Sequence, residues 1–439
     1  MKSKNFNGVT VIGGGLAGCE AAFQLSLQKI PVQLIEMKPK KFTPAHKSSN
    51  LAELVCSNSL KSDSIDKAAG ILKSEMIKLK SLVLEAAYKN KVSAGGALAV
   101  DREKFSQYIT NKIYNNDYIE VINEEATEIN FKNTNPIIIA TGPMTSNSLA
   151  EEIENFIGMK SLAFYDSISP IVLYDSLDRS QFFRASRYED GVGDYINCPL
   201  TKVEYVNFIE SLNSAEKIDF HKFENPNYFE GCLPIEEMAS RGLDTLRFGP
   251  MKPVGLTDPK TARRPYAVLQ LRKENEAETM WNLVGFQTKM KIGDQKKVFS
   301  IIPALKNAEF LRFGSIHRNT YINSPGKIKN TLQSESNKMV FFAGQITGVE
   351  GYTESAAMGI VAGINAGRAF NKKTPYSFTK FSALGILLDY ISNANSKELQ
   401  PMNINLGLFG IEKPKKNIQI IQNNSKKAID DFINSEKYV

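Results

Sequence analysis

Cysteine, histidine and tryptophan are scarce in this chain. Its 439 residues include 4 Cys, 3 His and 1 Trp. Cys19, Cys56, Cys198 and Cys232 form no CxxC pair, and His46, His221 and His317 lie far apart in sequence. The spacing of a zinc or iron–sulfur site is missing, so no metal cluster is expected. Four dispersed thiols also exclude a disulfide scaffold and fit a reducing compartment. Long apolar runs are absent as well: PIIIATG, at 136–142, is far short of a membrane span. The opening MKSKNFNGVTVIGGG lacks a signal-peptide core, because its apolar strand runs straight into glycines. A cytoplasmic protein with no membrane partner is expected. No internal repeat is visible.

What is present describes a folded protein of some size. Hydrophobic residues make up 42% and charged residues 23%, which excludes disorder as the main state. At roughly 150 residues per domain the length allows two or three domains. Lys+Arg number 54 against 47 Asp+Glu, a net charge of +7. That excess suits a protein with one face toward a polyanion, and equally a merely lysine-rich chain.

The N-terminal end is the most informative. Residues 8–12, GVTVI, read as a short β-branched strand. Gly13, Gly15 and Gly18 follow in GxGxxG spacing, with Gly14, Leu16 and Ala17 between them. An apolar stripe at helical spacing comes next, then a second strand, VQLIE, ending on Glu36. Gly13 permits the tight turn, Gly15 lets backbone approach a pyrophosphate, and Gly18 lets the helix pack closely on the strand. The helix N-terminus offers unpaired N–H groups and positive potential to phosphates. Glu36 is placed to accept from a ribose hydroxyl, and its charge disfavours a 2′-phosphate there. A glycine loop of no function would have to explain three coincidences at once, so dinucleotide binding is expected.

Two later segments favour FAD over NAD. Residues 136–142, PIIIATG, read as a buried strand closing on a Thr-Gly turn. Residues 339–348, MVFFAGQITG, read as another strand, with Gly344 and Gln345 at its end. A helix rich in Ala and Gly follows, and its start, near Gly351 and Tyr352, is expected to face the flavin ring or phosphate arm. This order resembles the two-part FAD domain of glutathione-reductase-like flavoproteins. The fold class expected is therefore α/β: a Rossmann-like FAD-binding domain of that type from residues 1–147 and 331–439, around an inserted α+β substrate domain at 148–330. Within this frame residues 101–114 read as a helix capped by Asp101, and 118–130 as strands around a turn. Further helices are expected near 202–213, 235–241 and 418–438. Cys19, behind the glycine loop, and Cys198, in INCPL, read as buried structural residues.

The stretches VIGGGLAGCEAA, PAHKSSNLAELVCSNSLKS, AGGALAVDREKFS, YFEGCLPIEEMASRGLDTLRFGPMKPVGL and FFAGQITGVEGYTESAAMGIVAGINAGR resemble those of the folate- and FAD-dependent tRNA (uracil-5-)-methyltransferases. The likeness runs from about Val11 to beyond Arg368. The chain stops short of the C-terminal helical extension of the larger relatives that modify wobble uridine. The resemblance implies two catalytic cysteines, which fall on Cys56 and Cys232. It implies FAD, with methylenetetrahydrofolate as carbon donor and NADH or NADPH as reductant. The product would be 5-methyluridine in the TΨC loop of tRNA. A thiolate adding at uracil C6 turns C5 into a nucleophile. Cys232 is assigned that role, and Cys56 that of the C5 base or of guarding the flavin.

The same chemistry on a uridine of 23S rRNA stays open on these motifs. So do a flavin oxidoreductase acting on a small molecule and a non-enzymatic RNA-binding flavoprotein. Phosphate contacts are expected from Lys252, from PKTARR at 259–264, or from lysines in 289–297, with Tyr266 a stacking residue beside Arg263 and Arg264. Arg247 is a candidate for facing folate or flavin instead.

Overall fold

The computed structural model describes residues 6–131, 134–160, 162–189, 191–218, 233–394 and 399–436. The β-branched runs at the N-terminal end form a parallel sheet. Its five strands lie in the order Val340–Phe342, Ile137–Ile139, Val9–Ile12, Val32–Glu36, Ile119–Asn123. Val9 pairs with Val32, Ile12 with both Ile35 and Ile139, and Val340 with Ile137. Ile137–Ile139 and Val340–Phe342 are apolar and buried throughout, as in a parallel sheet covered on both faces, while the edge strand Ile119–Asn123 is only partly buried. The 118–130 stretch contributes one strand, Ile119–Asn123; no strand partner for it follows among the described residues up to 131.

Two helices cross on one face of this sheet. The first, Leu16–Leu27, starts at the glycine loop; the other is Tyr352–Phe370. Their contact depends on glycine. A Cβ on Gly359 would lie 2.3 Å from the Ala17 carbonyl oxygen, and one on Gly363 would lie 2.7 Å from that of Ala21. The small residues of the later helix therefore serve helix–helix approach. Asp101 caps Arg102–Tyr114, its side chain accepting from the Lys104 N–H at 3.1 Å. The final helix, Ile418–Glu436, closes the same core, with Ile421, Ile429 and Phe432 buried.

The middle of the chain builds a different layer. Six strands form an antiparallel sheet in the order Phe183–Arg184, Tyr195–Leu200, Ala267–Lys273, Met280–Leu283, Ile171–Leu173, Phe310–Arg312. Helices Lys202–Ser214, Ile235–Ser240 and Ile292–Phe299 cover it around Trp281, Phe208 and Phe286. Lys202–Ser214 opens with a capping box between Thr201 and Glu204. A two-stranded ribbon, Leu162–Ile168 with Ser315–Tyr321, runs between this layer and the parallel sheet. Cys198 is fully buried in the second core, and Cys19 in the first, its thiol against the Gly14 carbonyl at 3.3 Å.

Candidate active site

A cavity of about 450 Å³ opens at the carboxyl ends of the parallel strands, where open α/β sheets bind ligands. Gly13, Gly14, Gly15, Leu16, Ala17, Glu36, Gly344, Gln345, Gly351 and Tyr352 all line it, as does Cys56. Gly18 does not. It sits behind the turn, where a Cβ would lie 1.7 Å from the Gly13 carbonyl oxygen. Gly13 itself takes φ +104°, a conformation glycine adopts at little cost. A Cβ on Gly15 would meet nothing within 4 Å, so its face of the loop is open to the cavity. Glu36 accepts from the Gly14 N–H at 2.7 Å and from the Lys38 N–H at 3.0 Å. The acid thus holds the glycine loop and also faces the cavity. An open glycine loop at a helix N-terminus, with a carboxylate across from it, fits a dinucleotide.

Cys56 lies where three parts of the chain meet. Its backbone N–H donates to the Tyr352 hydroxyl at 2.7 Å, and that of Ser57 donates to the same oxygen at 3.2 Å. Its carbonyl accepts from Arg102 Nη2 at 3.1 Å, and its sulfur lies 3.9 Å from the Ser167 carbonyl oxygen. Arg102, Arg272 and Arg312 all sit close enough to act electrostatically on this thiol. Arg102 is ion-paired with the buried Glu274 at 2.5 Å, and Arg272 is held by Asn58 and Ser57. Burial, then the electrostatic interaction with Cys56, push the Tyr352 phenol up, so it stays neutral.

Sequence reading did not find the other polar groups of this wall. His46 and His317, distant in the chain, both line the cavity. Burial, followed by Lys38 for His46 and by Arg312 for His317, lowers both imidazoles below their ordinary range. At the far side Lys61 reaches Glu354 at 2.9 Å. Burial and then Asp166 push the Glu350 carboxyl up to about 8, and it accepts from Gln345 Nε2 at 2.5 Å. None of these carries a local sequence signal, because their burial depends on packing against other segments. His46, Lys61, Arg102, Glu350 and Glu354 lay inside the quoted stretches and passed as ordinary residues of them, whereas Arg272, Arg312 and His317 lay outside.

Cys232, with His221, lies outside the described residues. Ile218 and Ile235, before and after that segment in the chain, are both tied to one stretch: the Ile218 N–H donates to the Lys289 carbonyl at 2.9 Å and that of Ile235 to the Gln287 carbonyl at 2.7 Å. Gln287 lines the cavity. Three expectations need correction. Lys289 is buried and paired with Glu237, while Lys291 pairs with Glu216 and Lys297 with Asp294, so this run is largely neutralised. Tyr266 lies beneath the Arg247 guanidinium, 3.8 Å from ring centroid, which occupies one of its faces. Arg247 is spent on that contact, on Asp244 and on the Tyr266 carbonyl, and does not line the cavity.

Residues 8–374 match the family described as "Glucose inhibited division protein A". A methylenetetrahydrofolate–tRNA-(uracil-5-)-methyltransferase TrmFO of Geobacter sulfurreducens is 52% identical over 402 residues, 91% of this chain and 92% of the relative. The TrmFO of Heliobacterium modesticaldum is 52% identical over 97% of each. The chain belongs to this methyltransferase family. In fold it is similar to GidA of Aquifex aeolicus, with a TM-score of 0.70 at 16% identity, covering 96% of this chain and 74% of that one. The family match runs across both the parallel sheet and the antiparallel layer. Among the described residues no group of His, Cys, Asp and Glu could hold a metal ion, and no helix is long and apolar enough to cross a membrane.

Proposed function

We propose that this chain methylates C5 of a uridine in the TΨC loop of tRNA, giving 5-methyluridine, with methylenetetrahydrofolate, FAD and NADH or NADPH. The observation that carries the reading is that Cys56 shares one cavity with the open glycine loop and Glu36. The 52% identity to TrmFO proteins supports the substrate. Residues 1–147 and 331–439 would form a glutathione-reductase-type FAD domain, and 148–330 the inserted substrate domain.

The loop at Gly13, Gly14, Gly15, Leu16 and Ala17 would hold the FAD pyrophosphate, and Glu36 a ribose hydroxyl. Gly344, Gln345, Gly351 and Tyr352 would border the flavin. Bound together, folate and FAD supply a one-carbon unit at the formaldehyde oxidation level and the two electrons that make it a methyl group. Cys232 would add its sulfur to uracil C6, which moves an electron pair to C5 for attack on that carbon. Cys56 would then take the C5 proton, and the C6–S bond breaks. Tyr352 and Arg102 fix the backbone of Cys56 during these steps. The target base has to leave its stack to reach the cavity.

The test uses the full chain with tRNA carrying 5-fluorouridine, which has no C5 proton to surrender. Wild type and Cys56→Ala should give an RNA adduct that survives denaturing electrophoresis, and Cys232→Ala should give none. Label from methylenetetrahydrofolate should enter tRNA, and label from S-adenosylmethionine should not. Normal methylation by both cysteine variants, or label from S-adenosylmethionine, overturns the reading.

A further inference from the structure

We infer that the outward face of residues 245–264 is the surface that docks the substrate RNA, with Phe248 stacking on an unpaired base. The inference rests on the RNA reading above and adds where and how the polymer is held. Phe248 ends the short helix Thr245–Phe248 and is 84% exposed. The helix does not need it for packing, since the neighbouring Leu246 is fully buried and supplies the anchor. A bare ring of this kind gains most from a flat partner, and every nucleobase offers one.

The same stretch carries exposed charge of the matching sign. Lys252, Arg263 and Arg264 are all exposed, and among the described residues none of them is ion-paired. This separates them from Lys289, Lys291 and Lys297, which are neutralised. A second ring, Tyr188, is 75% exposed and bonds to this stretch through its N–H to the Gly255 carbonyl at 3.3 Å. Two separate exposed rings among unpaired cations suit a backbone of phosphates with splayed bases better than an apolar protein face.

The stretch also leads toward the chemistry. Pro250 packs on Gly285, where a Cβ would lie 2.6 Å from the Pro250 Cβ. Two residues on, Gln287 lines the cavity and accepts from Ile235, which follows the Cys232 segment. RNA held on Phe248 would thus lie beside the layer that carries this part of the cavity wall.

The experiment is equilibrium binding of an unmodified tRNA transcript to the FAD-loaded full chain at several salt concentrations. Phe248→Ala should weaken binding roughly ten-fold, and Phe248→Trp should restore it. Arg263→Ala with Arg264→Ala should lower the salt slope by roughly two. Lys297→Ala, a paired lysine, should bind as wild type. Unchanged FAD content and melting temperature show that the exposed substitutions leave the fold intact. Wild-type affinity and salt slope in both the Phe248 and the double arginine variants overturn the surface. Absence of RNA binding by the wild type overturns the RNA reading and the surface with it.

Discussion

Gly15 and Gly18 stand in one turn and answer to different neighbours. Gly15 has φ −76° and ψ −170°, which alanine adopts without strain, and its Cβ position is open. Gly15→Ala should therefore change stability by no more than about 0.5 kcal/mol, yet set a methyl group where the pyrophosphate would approach. Gly18→Ala drives a methyl into the Gly13 carbonyl and should cost on the order of 3 kcal/mol, because backbone rather than a flexible side chain has to move. The pair is read by urea unfolding and by the FAD retained on purification. Gly15→Ala should keep the wild-type midpoint and lose flavin, whereas Gly18→Ala should lose both. Flavin retained in Gly15→Ala would remove the loop from the cofactor site.

At the scale of elements, two buried carboxylates tie helices together. Glu20, in the Leu16–Leu27 helix, accepts from the Leu82 and Val83 N–H groups at the start of Leu82–Lys89 and from Ser81. Glu75 does the same for Ala383 and Leu384 at the start of Ala383–Asn393, and accepts from Ser425 of the last helix. Burial outweighs these bonds and pushes each carboxyl up to about 7 from the ordinary 4.5. The sign follows from proton uptake. Between pH 4.5 and 7 the folded state holds a proton that the unfolded state has released, so this contribution is full below pH 4.5 and is lost as pH rises through 7. Glu20→Gln, which cannot ionise, should gain on wild type by on the order of 2 kcal/mol between pH 4.5 and pH 8. Urea unfolding of both proteins at the two pH values isolates the effect, since shared groups cancel in the difference. A pH-independent difference would show that Glu20 ionises normally inside the fold.

For the whole molecule, the joint between the two layers is also the support of Cys56. Arg102 donates to the Leu54 and Cys56 carbonyls and pairs with Glu274, the residue after the Ala267–Lys273 strand. Asn58 donates to the carbonyls of Val100 and Lys273, both at 2.9 Å. Arg102→Ala leaves the buried Glu274 without its cation and should cost about 3–5 kcal/mol. The same change takes a cation from beside the Cys56 sulfur, and the thiolate is the reactive form, so alkylation of Cys56 by iodoacetamide should slow before any loss of helix signal. Thermal melting and timed alkylation measure the two effects. An unchanged melting temperature would show that the layers are held elsewhere.

The strand, glycine turn, helix, strand and acid of the N-terminal end were legible in the sequence because all five are contiguous within residues 8–36, where each residue's partner is a near neighbour. The buried roles of Cys19 and Cys198, and the helix capped by Asp101, were legible for the same reason. Cys56 could be named from its surrounding stretch, but its environment could not. Tyr352, Arg272 and Arg312 stand more than 200 residues from Cys56 in the chain and approach it only through the fold, which likewise brings His46 and His317 to one cavity. Charge behaved likewise. Lysines at 289–297 and arginines at 263–264 look alike as residues, and only the fold sets carboxylates beside the first group and leaves the second bare. Periodicity and glycine spacing record short-range sterics, whereas desolvation and ion pairing depend on which surfaces the folded chain brings into contact.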